Sequence, residues 1–291
     1  MVTAVAYDRQ AEDLGNIVAL EHVNVRIPDQ RLSTIFHVMG LGLTRDPYLM
    51  TGIENMWINV GRSQFHLPTG GPDVVRGHIG LVLPERDALL ERLVAVKGEL
   101  DGTQYSFSEH DTYIEAVSPW GNRFRCYEPD PAFGQISLGL PYVQFDVPIG
   151  TAAGIARFYR EILGARAEVR EEGGGAVAFC SVGKHQDLVY RETDQPLPPY
   201  DGHHIQVYVT NFSGPHHELD ARGLVFEESD QWQYRFKDLV DLDSGEVLFT
   251  IEHEVRSMTH PLFARPLVNR NPHQSNRRFV PGHEEWSPFT A

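Results

Sequence analysis

Cysteine is scarce in this sequence, and the residue patterns that support several common chemistries are missing. Only two cysteines, Cys126 and Cys180, occur among 291 residues, which excludes a disulfide framework and a CxxC metal or redox site. The sequence also has no Gly-x-Ser-x-Gly nucleophile elbow, no phosphate-binding loop ending in Gly-Lys-Ser/Thr and no complete GxGxxG fingerprint. Serine-hydrolase, P-loop and dinucleotide-binding functions therefore lack their usual sequence support.

Positive charge and long apolar runs are also in short supply. Lysine and arginine total 25 against 40 aspartates and glutamates, a formal net charge of −15. This charge argues against nucleic-acid and anionic-membrane partners, because both would repel the protein. No stretch approaches the ~18 apolar residues of a membrane span, and the first residues do not resemble a secretory signal. With 41% hydrophobic residues, the sequence predicts a cytoplasmic protein with a sizeable core.

One local pattern occurs four times along the chain. Each copy begins with an alternating strand, continues with a helical stretch and ends with two or three strand-like runs. The four opening strands are LEHVNVRIPD (20–29), RGHIGLVLPE (76–85), LPYVQFDVPI (140–149) and GHHIQVYVTN (202–211). Leu20 and Leu140 lie 120 residues apart, and His78 and His204 lie 126 apart. The pattern predicts an α+β fold of four βαβββ units. They form two similar halves, 17–130 and 139–254, followed by a tail, 255–291.

Alternation places the apolar residues of each opening strand on one face and polar residues on the other. His22, His78 and His204 begin the polar faces of the first, second and fourth units. Gln64 and His66 also share one face of a later strand in the first unit. Histidines on strand faces are candidate metal ligands or hydrogen-bond donors.

Four βαβββ units, a histidine on the first strand of a unit and a Gly-Asn turn before a last strand (Gly121-Asn122) resemble the vicinal oxygen chelate superfamily. That superfamily includes glyoxalase I, bleomycin-resistance proteins, fosfomycin-resistance enzymes and type I extradiol dioxygenases. The resemblance covers residues 17–254. It implies that two units form a cup into which metal ligands point from the first and last strands. The expected ligands are His22, His66 and His78 of an N-terminal cup, holding a divalent Fe, Zn, Mn, Co or Ni ion.

The fourth ligand position of this cup departs from the superfamily pattern. It holds Arg125, which cannot bind a cation, and Glu128 would turn inward only through a bulge. Arg125 and Arg26 are instead predicted to clamp an anionic group of a substrate with two adjacent oxygens. The predicted substrate-binding residues are Arg26, Trp57, Gln64, Tyr113, Arg125 and Tyr127. The resemblance thus implies a metal-dependent lyase, isomerase or dioxygenase.

The C-terminal half offers fewer ligands at the equivalent positions, which are Tyr142, Leu188, His204 and Phe249. One histidine does not hold a catalytic metal, so this half is interpreted as a degenerate cup. Two other hypotheses stay open: a metal-free binding or sequestration protein of the bleomycin-resistance kind, and a scaffold whose tail binds a partner. The tail carries a local charge of +2 and apolar residues. It is therefore expected to dock on the acidic body of the chain or on another subunit of a homo-oligomer.

Overall fold

The computed structural model describes residues 7–49, 52–270 and 277, and it contains the four predicted βαβββ units. The first unit consists of β1 (Ile17–Asn24), α1 (Gln30–Thr34) continued by a π-helix (Ile35–Gly40), β2 (Thr44–Arg45), β3 (Asn55–Val60) and β4 (Ser63–Pro68). The second consists of β5 (Gly77–Val82), α2 (Arg86–Val96), β6 (Ser106–Glu109), β7 (Ile114–Val117) and β8 (Arg123–Tyr127).

The third and fourth units repeat this order. The third consists of β9 (Gly139–Pro148), α3 (Ala152–Glu161), β10 (Ala167–Glu172), β11 (Gly175–Gly183) and β12 (Gln186–Thr193). The fourth consists of β13 (His204–Val209), α4 (Ser213–Ala221), β14 (Val225–Asp230), β15 (Gln233–Val240) and β16 (Val247–Ser257). Short 3₁₀ helices lie at Gln10–Glu12, Lys97–Leu100 and Pro131–Phe133.

The units pair in an order that the sequence halves do not reveal. One eight-stranded sheet has the order β14-β15-β16-β13-β1-β4-β3-β2, and the other has the order β10-β11-β12-β9-β5-β8-β7-β6. The first and fourth units thus share one sheet, here called the outer-unit sheet, and the second and third share the inner-unit sheet. The expectation that 17–130 and 139–254 each form their own cup is corrected, because β1 pairs with β13 and β5 pairs with β9.

The core lies where the apolar faces of the two sheets approach each other. Phe65 of the outer-unit sheet and Phe124 of the inner-unit sheet have ring centroids 5.6 Å apart, and Phe36 of the π-helix lies 5.4 Å from Phe124. All three side chains are buried. Aromatic contacts of this kind bury large apolar areas. Because alternate residues of a strand face opposite sides, the polar residues of each sheet point away from this core.

The helical patterns in the sequence are confirmed at all four places. In α2, Leu89, Leu93 and Val96 are buried at helical spacing after the proline at position 84, which suits the start of a helix. Both cysteines are buried as free thiols. None of the described helices has the length and apolar character needed to cross a bilayer.

The start of the predicted tail belongs to the fold. β16 continues to Ser257, beyond the predicted end of the pattern at Glu254. The chain then docks on the outer-unit sheet: Phe263 packs against Tyr208, and Arg265 pairs with Asp46. The predicted docking is therefore seen within one chain. The later tail residues, Trp286 among them, lie outside the described residues.

Candidate metal centre

The polar face of the outer-unit sheet brings three histidines together from three adjacent strands. They are His22 of β1, His66 of β4 and His204 of β13. One ring nitrogen of each lies within 4.8 Å of the corresponding nitrogens of the other two. We call this group the histidine cluster. Its members come from the first and fourth units, so the cluster exists only because those units pair.

A β-bulge sets the direction of His22. The register between β1 and β13 shifts between Leu20 and His22, and the extra residue, Glu21, is also buried. A bulge of this kind re-aims side chains. The Glu21 carboxylate lies 3.2 Å from Nδ1 of His22, which fixes the ring. Nε2 of His22 is buried and has no hydrogen-bond partner among the described residues.

Aromatic stacking and two amides hold His66. Its ring stacks on Trp57 with centroids 3.9 Å apart. The Asn24 amide lies 2.6 Å from Nδ1 of His66, and Nε2 lies 2.7 Å from the Asn55 amide oxygen. A neutral imidazole that accepts at Nδ1 and donates from Nε2 satisfies both contacts.

His204 brings a carboxylate of the last strand to the cluster. Its Nε2 is buried without a hydrogen-bond partner among the described residues and lies 3.6 Å from Glu254 of β16. On β4, His66 pairs with the residue two positions after His22; on β16, Glu254 pairs with the residue two positions after His204. The two units therefore contribute equivalent positions, and Glu254 is the counterpart of His66.

Two arginines hold Glu254. Arg235 pairs with it, and Arg256 lies 2.5 Å from its other oxygen. Arg256 also reaches Glu21 at 3.0 Å. Burial would raise the pKa of Glu254, but the neighbouring His204 and the charges of Arg256 and Arg235 hold this pKa well below its usual range. The carboxylate is therefore ionised and available as an oxygen ligand.

Burial favours the neutral imidazole at two of the three histidines, His22 and His66. Burial lowers the pKa of His22 well below its usual value, and burial together with the neighbouring histidines lowers the pKa of His66 to about 2. A neutral ring offers a lone pair to a metal, whereas a protonated ring does not. The two unpartnered Nε2 atoms are the kind of buried polar group that calls for a ligand. These donors fit a transition metal.

His78 lies away from the cluster, in the inner-unit sheet. Its Nε2 is 3.1 Å from the Tyr142 hydroxyl, which lies 2.8 Å from the Tyr127 hydroxyl. The Tyr142 ring occupies the space that a side chain at Gly80 would need. We call His78, Arg125, Tyr127 and Tyr142 the inner polar group. The expectation that His78 completes a metal site with His22 and His66 is corrected, because the pairing of units puts it on another sheet.

The predicted substrate-binding residues divide in the same way. Trp57 and Gln64 lie beside the histidine cluster, whereas Tyr113 and Tyr127 lie near Arg125, whose guanidinium is 5.0 Å from the Tyr113 ring. The predicted clamp of Arg26 with Arg125 does not form. Arg26 follows β1 and donates to Asp73 at 2.7 Å and to the Asp201 carbonyl at 2.6 Å.

The sequence pattern does not assign two residues, His204 and Glu254, to the metal site. His204 is a candidate from its strand face, but its partners His22 and His66 lie 182 and 138 residues earlier in the chain, in the other half of the sequence. The sequence pattern places Phe249 at the last ligand position of the fourth unit, five residues before Glu254. His66 follows the tight turn at Gly61 by five residues, whereas Glu254 follows Gly245 by nine. The polar alternation of Glu252, Glu254 and Arg256 was the available signal.

Comparisons with known proteins agree with this fold. No protein-family model matches the sequence, and no curated protein matches it. Among solved structures, a provisionally assigned dioxygenase from Bacillus subtilis subsp. subtilis strain 168 aligns with a TM-score of 0.55 at 13% identity, covering 84% of this chain and 86% of that one. Glyoxalase I from Zea mays aligns with a TM-score of 0.54 at 11% identity, covering 82% of this chain and 92% of that one. The chain has the vicinal oxygen chelate fold that its sequence predicts.

Proposed function

We propose that the histidine cluster binds a divalent transition metal and that the chain is a small-molecule metalloenzyme of the glyoxalase or dioxygenase type. The observation that carries this proposal is the convergence of His22, His66 and His204 within 4.8 Å, with two buried Nε2 atoms unpartnered among the described residues. Three imidazoles suit Fe, Zn, Mn, Co or Ni rather than Mg or Ca. Three protein ligands with further positions open are typical of a catalytic metal site.

Glu254 is the fourth candidate ligand. It occupies the position equivalent to His66, and its carboxylate lies beside His204. Arg235 and Arg256 partly neutralise it, which weakens its attraction for a metal. We therefore assign the three histidines as the primary ligands. Glu254 is a weaker candidate, because the metal would compete with Arg235 and Arg256 for its carboxylate.

The bound metal would supply a Lewis acid to a substrate with two adjacent oxygens, or would activate dioxygen. The surrounding residues hold the ligands in place. Trp57 fixes the plane of the His66 ring, and Glu21 orients His22 through Nδ1. Such partners of metal ligands set ring orientation and ligand basicity. The anionic character of the substrate stays a prediction.

Cobalt titration with visible absorption tests this proposal in the full chain. We expect the wild type to bind one Co²⁺ and to develop the d–d bands of a histidine-bound ion. His204→Ala should lose this binding, because it removes one of three ligands. His78→Ala is the matched control and should bind cobalt normally, since His78 belongs to the inner polar group. Equal cobalt binding by wild type and His204→Ala would contradict the proposal.

A metal-free binding protein is the second candidate function. One observation favours it: both nitrogens of His66 already have hydrogen-bond partners. In this case the inner polar group would bind an anion, with Arg125 as the cation and the Tyr127 and Tyr142 hydroxyls as donors. Ligand-induced thermal stabilisation would then persist with chelator and disappear in Arg125→Ala.

A further inference from the structure

The chain beyond β16 crosses back over the polar face of the outer-unit sheet. We call residues 258–270 the C-terminal strap. Arg265 donates to the fully buried Asp46 at 2.7 Å. The Asn269 amide donates to the Gly61 carbonyl at 2.8 Å and accepts from the Gly61 N–H at 3.0 Å. These polar contacts hold the strap at two residues, Arg265 and Asn269, which lie four positions apart in the chain.

A cavity of about 460 Å³ lies between the strap and the sheet. Volumes of roughly 300–1,000 Å³ are typical of sites for small organic molecules. The walls include the apolar residues Val18, Ala19, Leu262, Phe263, Pro266 and Leu267. Four of these six belong to the strap, so the strap provides much of the apolar surface. The strap is therefore a wall of the cavity as well as a docked tail.

The cavity reaches the surroundings of the histidine cluster. Glu21 lines it, and its carboxylate lies 3.2 Å from Nδ1 of His22. Tyr208, another lining residue, donates its hydroxyl hydrogen to Glu21 at 3.2 Å. Arg265 of the strap extends to Gln64, which pairs with His22 across β1 and β4. Glu21 thus connects the wall of the cavity to a proposed metal ligand, His22.

We infer that the strap and the sheet bind the apolar body of the substrate, so that the substrate is amphipathic. Two adjacent oxygens at one end would meet the metal, and an apolar chain or ring at the other end would fill the cavity. This inference rests on the proposed function, because the metal determines which end of the substrate carries the two oxygens and which end enters the cavity. A small polar dicarbonyl or hydroxy acid would leave the apolar walls in contact with water and is not the substrate expected here.

Straight-chain hydroxamates, from acetohydroxamate to octanohydroxamate, test the inference, because each carries two adjacent oxygens on an apolar chain of known length. Affinity for the cobalt-loaded full chain is measured by isothermal titration calorimetry. Each methylene that leaves water for an apolar cavity should tighten binding by about fourfold. We expect this gain until the cavity is full, followed by a plateau. Equal affinity for all chain lengths would overturn the inference.

Two substitutions in the strap and one control locate the effect. Leu267→Ser puts a hydroxyl in the cavity wall and should flatten the dependence on chain length. Val268→Ser is the matched control, because Val268 is the next residue, is 44% exposed and does not line the cavity. Phe263→Ala enlarges the cavity and should move the plateau to longer chains. Thermal melting checks that Leu267→Ser is folded. If the folded variant keeps the wild-type dependence of affinity on chain length, the strap does not bind the apolar chain.

The measurements separate failure of the inference from failure of the proposed function. If the chain binds cobalt but hydroxamate affinity does not change with chain length, the proposed metal centre stands and only the inference is overturned. A chain that takes up no cobalt overturns the proposed function. The cavity is then tested in the metal-free chain with alcohols from butanol to octanol. Their affinities must still rise by about fourfold per methylene, or the inference fails as well.

Discussion

At the scale of single residues, Glu254 connects ligand chemistry to stability. Its carboxylate is buried between Arg235 and Arg256, and removing one partner of a buried ion pair leaves the others without compensation. Glu254→Gln should lower the free energy of unfolding by about 3 kcal/mol. Denaturant titration measures the loss.

An exposed ion pair provides the control for this change. Arg31 and Glu99 pair on the surface with side chains 67% and 55% exposed, where ion pairs contribute little because water screens them. Glu99→Gln should cost less than about 1 kcal/mol. If the two substitutions cost the same, the burial of Glu254 does not determine its contribution.

His37 gives the fold a defined response to pH. Burial in the core lowers the pKa of His37 to about 4, although its hydrogen bond to the Ser33 carbonyl opposes this shift. In the unfolded chain the pKa of this histidine is ~6.5, so the unfolded chain binds a proton that the native chain excludes. The contribution of neutral His37 to the free energy of unfolding is therefore complete above pH ~6.5 and is lost as the pH falls towards 4.

The expected consequence is measurable by denaturation at two pH values. Between pH 7 and pH 5, His37 should account for about 2 kcal/mol of the decrease in unfolding free energy. His37→Gln cannot titrate and should show a decrease smaller by that amount. A decrease equal to that of the wild type would mean that His37 does not exclude the proton.

At the scale of elements, the turn between β3 and β4 joins three parts of the molecule. Gly61 has a φ of 67°, bonds twice to Asn269 of the strap, and leaves no room for a Cβ against the Leu138 carbonyl. Gly61→Ala should therefore destabilise the protein by more than the ~1 kcal/mol expected from backbone strain at a positive φ alone.

Gly102 separates the two contributions. Its φ is 77°, and no atom lies within 4 Å of the position that a Cβ would take. Gly102→Ala should show the backbone strain only. Thermal unfolding of both variants measures their losses of stability. The amount by which the loss in Gly61→Ala exceeds the loss in Gly102→Ala is the contribution of the crowded turn. Equal losses would show that the contact between the turn and residue 138 can relax.

At the scale of the whole molecule, the pairing of outer with outer and inner with inner units makes the two halves interdependent. A fragment ending at residue 134 would leave β1 without β13 and β5 without β9. Unpaired central strands promote association with other chains. We expect this fragment to form no folded monomer, and we expect mixing it with residues 135–291 to restore cooperative unfolding. Size-exclusion chromatography measures the association of the fragments, and circular dichroism measures their folding. A folded monomeric fragment would contradict this pairing.

Much of the fold was predictable because its signals are local. The four strand–helix–strand units, the helix at Arg86–Val96 and the alternation that puts His22 and His66 on a polar face all follow from residue periodicity. The pairing of the units did not follow from it. It depends on long-range contacts, since the paired residues of β1 and β13 lie 180 to 192 positions apart in the sequence. The same local pattern is compatible with either pairing.

The candidate site was predictable to the same limited extent. Histidines were recognised by type and face, but His78 and His204 carry the same local signal, and only the sheet order distinguishes them. The bulge at Glu21 and the long turn before β16 displace residues from the expected spacing. The cavity under the strap involves a segment with no strand or helix pattern, so its position follows only from tertiary contacts.

Anomalous diffraction from crystals grown with Co²⁺ tests the central claim most directly. The account predicts a single strong peak about 2.0–2.1 Å from a ring nitrogen of each of His22, His66 and His204, the separation typical of histidine ligands. A peak at His78, or no peak in crystals that contain bound cobalt by fluorescence, would contradict it.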